Sequence, residues 1–249
     1  MVPLNIVEII NKVKKLASTK DYYNALELIT GLINNKNYKK SYAYRLRSAI
    51  YSNLNKYEKA LDDINKYIEL NEKNDNSYSM DGQVVTKKML INYGYLDKGN
   101  IDFKFKFYEN ALESYSNVIE DNDDKFQKSN ARFLRGYTFQ NFAETFIDTP
   151  QYFRAKEYLE LAIKDYEMLI KNETKYAAVY NNLANAYSRL KKYGLALQTI
   201  EKALEIEPNN ASYLVNKANK LVLLNENGKA LELYNQIIDM YPSDPTSYY

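Results

Sequence analysis

The chain has 249 residues, 45% hydrophobic and 27% charged, with a net charge of +2, enough for a sizeable buried core and without a bias toward polyanions or anionic membranes. It contains neither Cys nor His, which excludes thiolate nucleophiles, disulfides, zinc clusters and every imidazole-based acid, base or metal ligand. Seven glycines and five prolines are too few for a many-turned β protein and favour long helices.

At the N-terminus Asn5 and Glu8 interrupt the apolar residues, and Lys14 and Lys15 follow them, the reverse of a secretory signal. No run of about 18 apolar residues is present to span a membrane. The expectation is a cytoplasmic protein. From here the apolar periodicity is helical and the text repeats. Tyr22-Tyr23-Asn24-Ala25-Leu26, Tyr57-Glu58-Lys59-Ala60-Leu61 and Tyr108-Glu109-Asn110-Ala111-Leu112 echo one another, as do Ala43-Tyr44-Arg45-Leu46-Arg47-Ser48 and Ala131-Arg132-Phe133-Leu134-Arg135-Gly136. The series continues through Ala162, Ala196 and Ala230 at intervals of 35, 51, 51, 34 and 34 residues. Six helical hairpins are predicted, at about 4–39, 40–74, 75–125, 126–176, 177–210 and 211–244, with 245–249 starting a further helix or a tail.

The third and fourth hairpins are lengthened. In the third, the surplus is placed partly at Asn74-Asp75-Asn76-Ser77 and partly in a longer turn near Lys98-Gly99-Asn100. In the fourth, the periodicity runs from Phe126 to Phe146, breaks at Asp148-Thr149-Pro150 and resumes to Ile170. Thr149 reads as an N-cap with Pro150 at the first helical position, and both helices are expected to reach about 20 residues.

Within 177–210, Tyr180, Leu183, Ala184, Tyr187, Ala196, Ile200, Ala203 and Pro208 stand at the signature spacings of the tetratricopeptide repeat, and the chain resembles a protein of that family. Small residues let two antiparallel helices approach, larger ones fill the grooves to the next hairpin, and Pro208 ends the second helix. The resemblance implies an all-α, right-handed α-solenoid forming one unit over residues 1–249, in which first helices line a concave face. It also implies a non-catalytic scaffold or adaptor that binds a protein or peptide in that groove and needs no cofactor.

Nothing in the sequence positions catalysis. No Gly-x-Gly phosphate loop occurs, and Asp62-Asp63 and Asp121-Asn122-Asp123-Asp124 read as solvated helix ends rather than cation sites. The 26 tyrosines read as repeat-core residues, not a base-stacking surface, and no basic stripe specifies nucleic acid. Residues just off the core stripe of the first helices are the candidate groove residues: Tyr42, Arg45 and Ala49; Asn130, Phe133 and Tyr137; Asn181, Asn185, Ser188 and Arg189; and Ser212, Val215 and Asn219. Asn supplies donors and acceptors for a peptide backbone, and Arg45 and Arg189 suit carboxylates. The family's carboxylate clamp is not expected. Asn182, Asn185 and Asn216 match its Asn-type positions, but its basic sites hold Asn181 and Ser212. Two alternatives remain: a self-assembling subunit, dimeric through residues 211–249 where no polar capping helix follows, and an RNA-binding helical repeat.

Overall fold

The computed structural model describes residues 6–35, 40–73, 78–80, 83–120, 124–172 and 175–240. Among them, twelve α-helices follow one another in six antiparallel pairs: α1 (Ile6–Ser18) with α2 (Tyr22–Asn34), α3 (Ser41–Asn53) with α4 (Tyr57–Glu72), α5 (Lys87–Lys104) with α6 (Tyr108–Glu120), α7 (Lys125–Glu144) with α8 (Tyr152–Lys171), α9 (Ala177–Arg189) with α10 (Tyr193–Ile206) and α11 (Ala211–Leu223) with α12 (Asn227–Met240). Two short strands, β1 (Tyr78–Met80) and β2 (Gln83–Val85), pair antiparallel with Tyr78 opposite Val85. No described helix is long and apolar enough to cross a membrane.

The chain forms two compact units, residues 1–131 and 132–249. In the first, each helix from α1 to α6 packs on the next; in the second, the same holds from α8 to α12. The recurring alanines explain the close approach. Ala25, Ala60, Ala111, Ala162 and Ala196 are 0% exposed and Ala230 only 1%, because a larger side chain there would hold each second helix off its partner. Between them sit large buried residues, with Tyr67, Tyr115 and Tyr166 among the most enclosed. Burying a side chain of that size stabilises by about 2–3 kcal/mol.

The turns are built alike. Lys20, Asn55, Lys106, Lys191 and Asn225 adopt φ between 56° and 65°. The following amide in each case donates to the carbonyl five residues back: Asp21 to Leu16, Lys56 to Tyr51, Phe107 to Asp102, Lys192 to Tyr187 and Glu226 to Leu221. This is the left-handed Schellman ending, which satisfies the last carbonyls of the first helix while reversing the chain.

Hairpins three and four correct the sequence reading. Lys98, Gly99 and Asn100 form no turn; they lie inside the 18-residue helix α5. Gly99 is there for packing, since a Cβ would lie 2.5 Å from Cε1 of Tyr115, whose hydroxyl donates to Asn100 Oδ1 at 2.8 Å. The turn instead comes at Phe105–Phe107, around left-handed Lys106. The surplus assigned to residues 74–77 lies outside the described residues. Helices α7 and α8 each have 20 residues, but α8 starts at Tyr152 with Gln151 as its N-cap residue. Thr149 acts within the turn, donating to the Phe146 carbonyl and accepting from the Gln151 amide, so Pro150 precedes the helix.

Candidate functional site

In the second unit, first helices α7, α9 and α11 line a cavity of about 840 Å³. Each of these helices contributes two carboxamides to the walls: Gln140 and Asn141 on α7, Asn182 and Asn185 on α9, Asn216 and Asn219 on α11. Several are tied helix to helix. Gln140 Nε2 donates to the Asn182 carbonyl at 2.8 Å, and Asn216 Nδ2 to Asn181 Oδ1 at 2.7 Å. Tyr166, fully buried in the core below, donates to Gln140 Oε1 at 2.7 Å. These bonds leave Asn185 Nδ2, Asn219 Nδ2 and Asn216 Oδ1 without a partner among the described residues. Unused donors and acceptors thus border the cavity together, as an extended backbone requires.

Five charged residues share the lining. Arg189 Nε meets Glu144 Oε1 at 2.8 Å, and Asp148, Lys191, Tyr137, Tyr152 and Tyr193 complete the ionisable lining together with Lys220. Lys220 is 3% exposed, and its Nζ donates to Asn185 Oδ1 at 2.8 Å. Burial, with Arg189 nearby, pushes its ammonium down to about 8. The Ser188 hydroxyl, also in the lining, is buried without a partner among the described residues.

The first unit has a smaller cavity of about 270 Å³ between α3 and α5. Its own charges occupy it. Arg45 Nε contacts Asp97 Oδ2 at 2.5 Å, with the guanidinium 4.9 Å from the Tyr93 ring centroid and 5.9 Å from that of Tyr67. Lys104 Nζ donates to the Ser52 carbonyl across the same space. Nearby, Tyr57 donates to Asp102 at 2.8 Å; burial and this bond push the phenol up to about 12, and burial raises the Asp102 carboxyl.

The candidate groove residues therefore divide. Tyr137, Asn185, Ser188, Arg189 and Asn219 converge on the cavity of the second unit, joined by the clamp-type residues Asn182 and Asn216. Asn181 stands off that lining, bonded to Asn216 and Asn182. Ser212 is exposed and Val215 half-buried, both off it as well. Phe133 turns toward the core, its ring 6.3 Å from that of Tyr166. In the first unit, Arg45 and Ala49 line the small cavity, Tyr42 lies 5.5 Å from Lys14 Nζ, and Asn130 is exposed. Asp63 of the acidic pair is engaged by Arg47 at 2.7 Å, while residues 121–123 lie outside the described residues.

Lys220, Gln140, Asn141 and Glu144 escaped the sequence reading. The last three lie one to two turns beyond Tyr137, where the lengthened α7 continues along the cavity. A signal for Lys220 was present. It is the tenth residue of α11, where α3 has Ile50 and α9 has Ala186, 2% and 0% exposed respectively.

Comparison with known proteins agrees with this architecture. Models of the tetratricopeptide repeat match residues 41–74 and 177–210. Hsp70-Hsp90 organizing protein 3 of Arabidopsis thaliana is 24% identical over 202 residues, which are 76% of this chain and 34% of that protein. The Hsp70-Hsp90 organizing protein of Triticum aestivum is also 24% identical, over 76% of this chain and 33% of its own length. The chain thus spans about a third of the length of these curated relatives. Among solved structures, the type IV pilus biogenesis factor PilW gives a TM-score of 0.68 at 15% identity, covering 97% of this chain and 96% of PilW. The C-terminal part of a TPR repeat-containing protein from Cytophaga hutchinsonii gives 0.65 at 21% identity, covering 93% and 79%. With the hairpins and their buried alanines in hand, the chain carries tetratricopeptide repeats at residues 41–74 and 177–210, within a helical fold similar to that of tetratricopeptide-repeat structures.

Proposed function

We propose that this protein is a non-catalytic scaffold that holds an extended segment of a partner protein in the cavity of its second unit. The observation that supports this reading is the set of unused carboxamide donors and acceptors, Asn185 Nδ2, Asn219 Nδ2 and Asn216 Oδ1, around an open space of about 840 Å³. Carboxamides suit a peptide backbone because they offer both hydrogen-bond roles at a far lower desolvation cost than charges. The relatives named as Hsp70-Hsp90 organizing proteins are consistent with a protein-binding role.

The test is a library of short random peptides, acetylated and amidated, presented to the wild type and to an Asn185→Ala/Asn219→Ala variant. Losing two backbone hydrogen bonds should weaken the selected peptides about tenfold or more. Equal binding to both proteins, with unchanged melting temperature, would remove the cavity from the reading. A library without binders would remove the peptide.

A further inference from the structure

We propose that Lys220 is the receptor for an acidic side chain, Asp or Glu, within the extended segment that occupies the cavity of the second unit. The inference rests on the groove reading above and adds a chemical requirement on the partner.

A cation at this point needs an explanation. Of the other 13-residue first helices, α3 and α9 fill the tenth position with the core residues Ile50 and Ala186, whereas α1 has Lys15 there, exposed to solvent. Lys220 takes this position in α11 and remains 3% exposed. Lysine is almost never so deeply buried unless paired, because removing the ammonium from water costs several kcal/mol. Yet no carboxylate pairs with Lys220 among the described residues, and Glu144 is bound to Arg189. An ammonium has three donors, and Asn185 Oδ1 is the one acceptor it reaches among the described residues, at 2.8 Å. The remaining donors belong to a group that lines the cavity. Arg189 adds positive potential, which with burial depresses the ammonium's proton affinity. A carboxylate entering here gains a charge-assisted hydrogen bond in a place where water competes weakly.

Depth selects a side chain over a chain terminus. Asn219 is exposed and Asn185 and Asn216 are half-buried, whereas Lys220 is buried beneath them. A backbone paired with the carboxamides lies above the ammonium. Only a group projecting from that backbone reaches down to Lys220; a terminal carboxylate, being part of the backbone, stays at the level of the amides.

The experiment uses the full chain and capped peptides from the library, sorted by sequence. Wild type should enrich Asp or Glu at one internal position. Replacing that residue by Asn or Gln should weaken wild-type binding about tenfold or more, while leaving the affinity for Lys220→Met unchanged. The neutral peptide, bound equally by both proteins, verifies that the variant is folded. With ¹³C-labelled lysine, the Lys220 Cε signal should show its proton held to higher pH with the acidic peptide and not with the neutral one. Equal losses in wild type and Lys220→Met overturn the proposal and leave the groove reading intact. So does a neutral peptide rescued by a free C-terminal carboxylate. A Lys220 proton already held to that higher pH without peptide assigns the anion to the chain itself and also overturns it. A library without binders overturns the groove reading, and this inference with it.

Discussion

The two units use one helical register and reach opposite results on their first helices. At the fifth, sixth and ninth positions, α3 of the first unit carries Arg45, Leu46 and Ala49, whereas α9 of the second carries Asn181, Asn182 and Asn185. In the first unit Arg45 finds Asp97 on α5, Leu46 joins the core and the space left is about 270 Å³. In the second, carboxamides bond sparingly to one another and the space is about 840 Å³. The Arg45–Asp97 pair fills much of the first groove with the chain's own atoms, whereas the more exposed Arg189–Glu144 pair between α9 and α7 leaves the second open. Carboxamides neither repel nor bind strongly enough to close it, and leave a polar surface for another chain. The fold supplies the stack; a few positions per helix decide whether its face is occupied.

The largest effect expected from separating these roles concerns a shared feature. Asp63 receives two bonds from Arg47 at 2.7 and 2.8 Å, and Asp165 receives two from Arg135 at 2.7 and 2.8 Å and one from Arg132 at 3.4 Å. Both carboxylates are buried, each fixing a first helix to its own second helix. Asp165→Ala should cost about 3–5 kcal/mol, because it leaves guanidinium groups without their anion, and Asp63→Ala somewhat less. Urea unfolding of each variant measures this. A loss below about 1 kcal/mol in both would class the pairs with surface salt bridges and remove the common clasp from the comparison.

Next is Lys220→Met, with the opposite sign. The folded ammonium, held down to about 8, releases its proton before the unfolded lysine does, near about 10.4. Below pH 8 the full cost of burying a charge is present; between there and about 10 it fades, so wild-type stability should rise with pH in that window. The variant should lack this rise and be more stable at pH 7 by up to about 3 kcal/mol. Above about 10, unfolded tyrosines ionise first, since folded groups such as Tyr187 are pushed up to about 12, and both proteins should weaken. Parallel pH profiles for the two would mean that Lys220 is hydrated. In the first unit, Asp97→Ala tests the occupied face. It should cost about 1–2 kcal/mol through the stranded Arg45, with the Arg45→Ala/Asp97→Ala pair recovering most of that loss. Additive losses in the urea midpoints would show that Arg45 and Asp97 do not act together.

How much of this was legible in the sequence follows from what each residue type signals locally. Ala25, Ala60, Ala111, Ala162, Ala196 and Ala230 mark the second helices directly, because close helix contact tolerates little else, and all six are buried. Gly99 misled because a glycine flanked by Lys98 and Asn100 resembles a turn; its reason is the Tyr115 ring sixteen residues onward. Phe133 reads as a groove residue from its offset to the core stripe alone; α7 has the expected 20 residues, but its cavity-facing stretch runs from Tyr137 to Glu144, while Phe133 packs toward the Tyr166 ring. Lys220 was invisible to a rule that sends lysines to solvent. It could be found only by aligning α11 with α3 and α9 and noting a charge in the column of Ile50 and Ala186.

The smallest expected effect separates fold from groove most cleanly. Lys106 in the first unit and Lys191 in the second hold the same left-handed turn, with φ of 65° and 59°, a conformation that costs an L-residue about 1–2 kcal/mol. Glycine adopts it freely but gives up more chain entropy on folding, so Lys106→Gly and Lys191→Gly should each stabilise by about 0.5–1 kcal/mol, and Asn225→Gly by less, since Asn tolerates this region. The two lysines differ in one respect: Lys191 also lines the cavity. If its role there is only to turn the chain, both variants raise the unfolding midpoint alike and leave peptide affinity untouched. A stabilised Lys191→Gly that binds the acidic peptides several-fold more weakly would instead extend the cationic floor from Lys220 to the turn after α9.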